Sequence, residues 1–157
     1  MNESHYFEKT RISDLLIRYF SAIDDKQLDL SIIENTFAID ATIMRPNGSA
    51  LVGHKDIFDS QKKSFERFKA THHVTSDYII DFDNDRATIR ANLTAMHLWA
   101  DNENNPSHNN KHFLAGAIII TKAVKINDNW RICDLVNQNV WRTGEGMSDM
   151  AKYERPK

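Results

Sequence analysis

Apolar residues recur along this chain with two different periods. From about Glu8 to Ile23 the period is helical, and Ile12, Leu15, Leu16, Tyr19, Phe20 and Ile23 form one stripe. Ser4 is the expected N-cap of this helix. Asp24 and Asp25 follow at once, where acidic groups oppose the helix macrodipole. At about 100° per residue Asp24 falls on the edge of the apolar stripe and Asp25 nearly opposite it. If one of the two looks inward, it is Asp24. A short helix over Leu28 to Asn35 is predicted next, with Leu30, Ile33 and Phe37 available for burial. A third helix starts at Gly53, carrying Ile57, Gln61, Phe65 and Phe68 along one side and Asp59, Lys62 and Lys63 in solvent.

Elsewhere the period falls to two. Phe37 to Met44 alternates as a strand and is closed by the turn Arg45-Pro46-Asn47-Gly48. Ala70 to Asp101 reads as two strands joined at Asp83-Asn84-Asp85, and this hairpin organises the rest. Asn102 to Asn110, with Pro106 in its middle, is predicted to be a mobile polar loop. Two long strands follow, Lys111 to Lys125 and Trp130 to Trp141, joined at Asn127-Asp128-Asn129. The segment from Thr143 onwards has little apolar content and is expected to fray.

Three helices interrupted by one strand, then four strands in a meander, predict an α+β fold. The expected architecture is a cone-shaped α+β barrel, with three N-terminal helices on a curved, mostly antiparallel sheet. Residues 1–157 are read as one such domain, with no internal repeat. A cone of this kind leaves a cavity between its layers.

Alternation along the hairpin puts His97 on one face with Ala91, Leu93, Ala95 and Trp99. That face is apolar and partly made of small residues, as the wall of a cavity would be. An ionisable group there needs a partner or a task. Both faces of Lys111–Lys125 are hydrophobic, which implies cover on both sides. One cover is the cavity layer; the other is expected to be a second copy of the chain, giving a homodimer through the sheet.

Composition narrows the picture mainly by exclusion. Formal net charge is −2, and lysines and arginines are scattered rather than gathered in a stripe, so nucleic acid is not an expected partner. The longest apolar runs, such as Ala115 to Ile120, fall far below the roughly 20 residues that span a bilayer. The polar start MNESHYFEKT lacks the apolar core of a signal peptide, and a single cysteine, Cys133, forms no internal disulfide. A cytoplasmic setting is expected, with Cys133 as a small buried hydrophobe. Of seven histidines, His72 and His73 are strand neighbours that point to opposite faces. No HExxH or cysteine-rich spacing occurs, so no metal is expected. Nor is there a GxGxxG, P-loop or GxSxG pattern, so neither a cofactor nor serine-hydrolase chemistry is expected.

In chain order, ISDLLIRYFSAIDDKQLD, FAIDATI, LVGHKDI, ATHHVTSDYII, ATIRANLTAMHLW and NWRICDL together resemble the SnoaL-like branch of the nuclear transport factor 2 superfamily. The resemblance runs from about Thr10 to Gly144 and rests on order and spacing, since no single motif is specific. It is nearest the scytalone dehydratase-like members, and the superfamily also includes a dehydrochlorinase, polyketide cyclases and steroid isomerases. In the dehydratase branch an aspartate at the exit of the first helix pairs with a histidine at the start of the central hairpin, and a second histidine lies on the next strand. The resemblance therefore implies Asp24, His73 and His97 as the catalytic set. Tyr19, Leu93, Ala95, Trp99 and Asn137 are the expected substrate contacts. Two departures set this chain apart. Ile23 and Thr42 or Ile43 stand where the dehydratase has tyrosines, and Ala117-Ile118-Ile119 where it has an asparagine. The dehydrochlorinase's arginine is also missing, Lys125 being the nearest basic residue.

An aspartate bonded to one imidazole nitrogen fixes the tautomer and leaves the other nitrogen free to take a proton. The expected function is thus a cofactor-independent dehydratase, isomerase or related lyase acting on a small apolar or cyclic molecule. In it Asp24 orients His73, and His97 polarises the substrate or acts as acid. The alternatives are a non-catalytic small-molecule binder and a protein-interaction domain built on the same fold.

Overall fold

The computed structural model describes residues 3–101 and 111–145. The first helix, α1, spans Glu3–Asp24 and buries Ile12, Leu16, Tyr19, Phe20 and Ile23 of the expected stripe together with Ala22, while Leu15 is only part-buried. It begins earlier than expected, so Ser4 lies inside the first turn and is not its cap. Its end is set by Lys26 in the left-handed region (φ 54), not by Asp24. Lys26 N–H donates to Ile23 O at 3.0 Å and Gln27 N–H to Ala22 O at 2.9 Å, which closes the last carbonyls. Helix α2 covers Leu30–Thr36 and is capped by Asp29, whose side chain accepts from Ile32 N–H at 2.8 Å.

Strand β1, Phe37–Met44, runs to the turn at Arg45. A three-residue strand that periodicity is too short to reveal, β2 (Ala50–Val52), pairs back on it. Gly53, at φ 79, then starts α3, Gly53–Arg67. A Cβ at Gly53 would stand 3.2 Å from Ile39 O as well as in a strained conformation. The remaining strands are β3 (Phe68–Asp83), β4 (Arg86–Trp99), β5 (His112–Ile126) and β6 (Asn129–Gly144). Thr143 and Gly144 still belong to β6, so that strand outruns its apolar pattern. The polar loop 102–110 and residues 146–157 lie outside the described residues.

The six strands form one sheet in the order β2-β1-β6-β5-β4-β3. All neighbours are antiparallel except β1 and β6, which are parallel. The three helices pack on one face of this mostly antiparallel, curved sheet, in the cone-shaped arrangement expected, and the sheet does not close. Ile12, Leu16, Ile33, Ile57, Ile119 and Ile132 are fully buried between the layers. Each such side chain contributes on the order of 1.5–3 kcal/mol by leaving water.

Two irregularities in the sheet matter for the cavity. On β3 the register shifts between Ser76 and Ile79, where Asp77 takes φ 53. Thr71 and His73 face the helices before the shift, and Ile80 and Tyr78 do so after it. On β6, Trp141 pairs with Gly116 and Asn139 with Ala117, leaving Val140 as the extra residue of a bulge. The inward series Leu135, Asn137, Asn139 therefore continues at Arg142 rather than at Trp141. Trp141 lies across the outer face over Gly116, where a Cβ would meet its indole at 2.2 Å.

Candidate active site

Between α1, α3 and the concave face of the sheet lies a cavity of about 410 Å³. That is the size of an ordinary small-molecule pocket. Asp24, the last residue of α1, turns from the helix axis towards β3. Its Oδ1 lies 2.6 Å from His73 Nδ1 and accepts the Thr71 hydroxyl at 2.8 Å, while Oδ2 accepts the His73 backbone N–H at 2.7 Å. The β-ladder thus supplies the donors that the C-terminal turn of a helix cannot. Burial alone would raise the Asp24 carboxyl, but the His73 ring, the His73 amide and Thr71 outweigh it and hold it below the usual range. In a neutral imidazole, a carboxylate at Nδ1 selects the tautomer protonated there and puts the lone pair on Nε2. The His73 ring stacks on Phe20 with centroids 5.0 Å apart, and its side chain is 9% exposed.

His97 stands edge-on to His73, with ring centroids 5.4 Å apart. Its surroundings are different: it stacks on Phe113 at 4.2 Å and touches Phe68 at 4.8 Å. Its Nδ1 is buried with no hydrogen-bond partner. Burial pushes this imidazole down to about 3, helped by His73 and opposed by Asp24. At neutral pH the ring is uncharged, so an imidazolium acid at His97 is not available. A neutral ring with one N–H and one lone pair is.

Tyr19, one turn before Ile23, reaches the cavity from α1 and accepts from Gln61 Nε2 at 2.8 Å. Burial raises its hydroxyl above the usual phenol range, so it stays protonated and able to donate. Leu93, Ala95 and Asn137 also line the cavity. Asn137 Oδ1 is buried and unpartnered. Because Asn137 pairs with Ile119, an asparagine does reach this cavity, from β6 rather than from β5. Trp99 does not line the cavity and is corrected to a packing role: it lies against Phe68 and Phe113 and donates its indole N–H to Glu145 O at 2.8 Å. The end of β4 carries it past the cavity wall.

The charged residues that line the cavity beside the histidines, Arg45, Arg67 and Arg142, are not among the expected contacts. They come from the turn after β1, the last turn of α3 and β6 beyond its bulge. Arg142 sits on the wrong parity for strict alternation, and only the bulge could have revealed it. With its amide turned to suit its neighbours, Asn139 donates to Trp141 O at 3.0 Å and accepts from Arg142 Nε at 3.0 Å, bridging that bulge. Among the described residues, no group of three His, Cys, Asp or Glu side chains is disposed to hold a metal ion. His72 is exposed, and His54 Nε2 is bonded to Phe37 O at 2.9 Å. Cys133 is part-buried against the core. Among the described residues no helix is long and apolar enough to cross a membrane.

A carboxylate–imidazole pair thus stands beside a cavity between the helices and the sheet of an α+β cone. The chain matches the SnoaL-like domain family over residues 7–136 and belongs to it. Among solved structures, it superposes on a candidate scytalone dehydratase from Novosphingobium aromaticivorans with a TM-score of 0.81, at 16% identity over 99% of this chain and 97% of that one. Kfla4162 from Kribbella flavida gives 0.77 at 23% identity, over 88% and 95% of the two chains. The hexachlorocyclohexane dehydrochlorinase LinA-type3 from Novosphingobium barchaimii gives 0.76 at 13%, over 98% and 97%. At such identities these likenesses establish the fold. No curated protein matches the sequence.

Proposed function

We propose that this protein is a cofactor-independent acid–base enzyme, a dehydratase, isomerase or related lyase, acting on a small, largely apolar or cyclic molecule inside the cavity. The observation that carries this is the 2.6 Å contact between Asp24 and His73 at the cavity wall. Asp24 holds the ring and its tautomer, and His73 Nε2 removes a proton from the substrate. Oxygen charge that develops is met by the Tyr19 hydroxyl and the neutral His97 ring, donors already desolvated and so strong in this setting. That solved structures with similar folds include a dehydrochlorinase and a candidate dehydratase supports an elimination or proton-transfer reaction. Isoleucine at 23 and alanine at 117 mean that neither relative's substrate is carried over.

The test is deuterium exchange or dehydration, followed by NMR, over a panel of small cyclic ketones and hydroxyketones. Turnover should vanish in both Asp24→Asn and His73→Ala. Intact turnover in both variants removes the proposal. The second reading, a non-catalytic binder, is favoured by those same missing polarising groups, and it predicts a ligand that binds Asp24→Asn as well as wild type with no chemistry in either.

The reading includes a cytoplasmic setting and a homodimer through the outer face of the sheet. There Met96, Leu114, Ile118 and Ile120 are part-buried, and Val140 and Trp141 are exposed. Sedimentation as a monomer at micromolar concentration would remove the dimer.

A further inference from the structure

The acid–base reading uses the floor of the cavity and leaves its mouth unexplained. Among the described residues, Arg45, Arg67 and Arg142 line the cavity and no aspartate or glutamate does, Asp24 standing behind His73. In a chain of formal net charge −2, overall composition does not account for three arginines around one cavity. Arg45 and Arg67 are exposed and Arg142 is half-buried, while Tyr19, Leu93 and Ala95 are buried. The arginines therefore mark the mouth and the imidazoles the floor. Two of the heads are held in place. Arg45 Nε donates to Ser49 Oγ at 2.9 Å and its Nη1 to Ser60 Oγ at 3.4 Å; Arg142 Nε donates to Asn139 Oδ1 at 3.0 Å. Among the described residues, neither Arg45 nor Arg67 is in an ion pair.

A cation would be repelled at such a mouth, and a neutral apolar molecule would gain nothing from it. Guanidinium forks match planar oxyanions, and a cleft lined by one sign of charge concentrates the opposite ion. Deeper in, the buried Asn137 Oδ1 lacks a donor. We propose that the cavity takes a small organic anion, its carboxylate or equivalent oxyanion held at the arginine mouth and its apolar body on Phe20, Ile43, Leu93 and Ala95. A hydroxyl or N–H on that body satisfies Asn137. This narrows the acid–base reading and rests on it only for chemistry: anchoring one end of the molecule aims its reacting carbon at His73.

Binding without turnover tests it. Calorimetric titration with cinnamate and with its neutral counterpart cinnamamide should give tighter binding of the acid, by roughly tenfold or more. Arg45→Gln and Arg67→Gln should each weaken cinnamate by roughly tenfold and leave cinnamamide unchanged. Lys122→Gln, the same charge change at an exposed site outside the cavity, should do nothing. No saturable binding of cinnamate, equal binding of acid and amide, or an equal loss in Lys122→Gln overturns the proposal. The two readings fail separately. Arginine-dependent cinnamate binding with turnover indifferent to Asp24 and His73 keeps the anion site and removes the acid–base enzyme. The reverse pattern does the opposite.

Discussion

Two imidazoles whose centroids are 5.4 Å apart share one cavity and live in different chemistry. His73 is built into a polar corner: a carboxylate on its ring, the same carboxylate on its amide, and a threonine hydroxyl steadying the pair. His97 is built into an aromatic wall, between Phe113 and Phe68, with a buried nitrogen unpartnered. The residue type is the same, so the difference comes from what the neighbouring elements bring. The end of α1 brings charge to one ring; β5 and the start of β3 bring only hydrocarbon to the other. In the proposed reaction one ring moves the proton and the other stays neutral while it moves.

The sharpest way to break this contrast is Asp24→Asn, which keeps shape and removes the charge. A general base that loses its orienting carboxylate should lose about a hundred- to ten-thousand-fold in kcat, with KM little changed. An equal rise in KM would mean that Asp24 serves binding and not the base. On the other ring, Phe113→Ala removes a side chain that is 1% exposed and stacked on His97. Such truncations cost about 3–5 kcal/mol, to be read from urea unfolding. The polar corner should tolerate Asp24→Asn far better in that assay.

The third test is pH. An unfolded imidazole titrates near 6.5 and His97 in the fold at about 3, so the folded state refuses a proton that the unfolded chain accepts. The contribution of His97 to stability is complete above pH 6.5 and falls as pH drops towards 3. One proton gives a slope of at most about 1.4 kcal/mol per pH unit. His97→Phe should flatten the profile in that window, and an unchanged slope would show that the ring is not held neutral. The Asp24 carboxyl is depressed from 3.8, so its own contribution is present above that value and is lost only as pH falls through its lower folded one. Thr71→Val should have the smallest effect. Removing one of the donors on Asp24 should cost about 1 kcal/mol and only a few-fold in rate.

The floor of this site was legible in the sequence and the mouth was not, for a geometric reason. Asp24 lies at the edge of a helical stripe, and His97 shares parity with Leu93 and Ala95, so simple periods find both. Gln61 was likewise on the inward side of α3, though its bond to Tyr19 needs the packed structure. Period alone does not separate His73 from His72; family resemblance points to His73, and His72 lies on the exposed side of the ladder. The arginines belong to a turn, a helix end and a strand past a bulge, three places where no period applies. Trp99 shows the converse error. Its parity matched His97, but the strand had already left the cavity by then.

The extra residue at Val140 works like a frameshift in the strand. Deleting it would turn the bulge into plain alternation, with Asn139 still inward, Trp141 outward and Arg142 inward. Deleting a residue a few places earlier, at Val136 for example, would instead swap the faces of the stretch between the gap and the bulge, taking either Leu135 or the asparagines out of the cavity. Chain length on β6 is therefore editable at one address without rewriting the wall of the cavity. At that residue the strand can change its length while the ligand-facing series stays as it is.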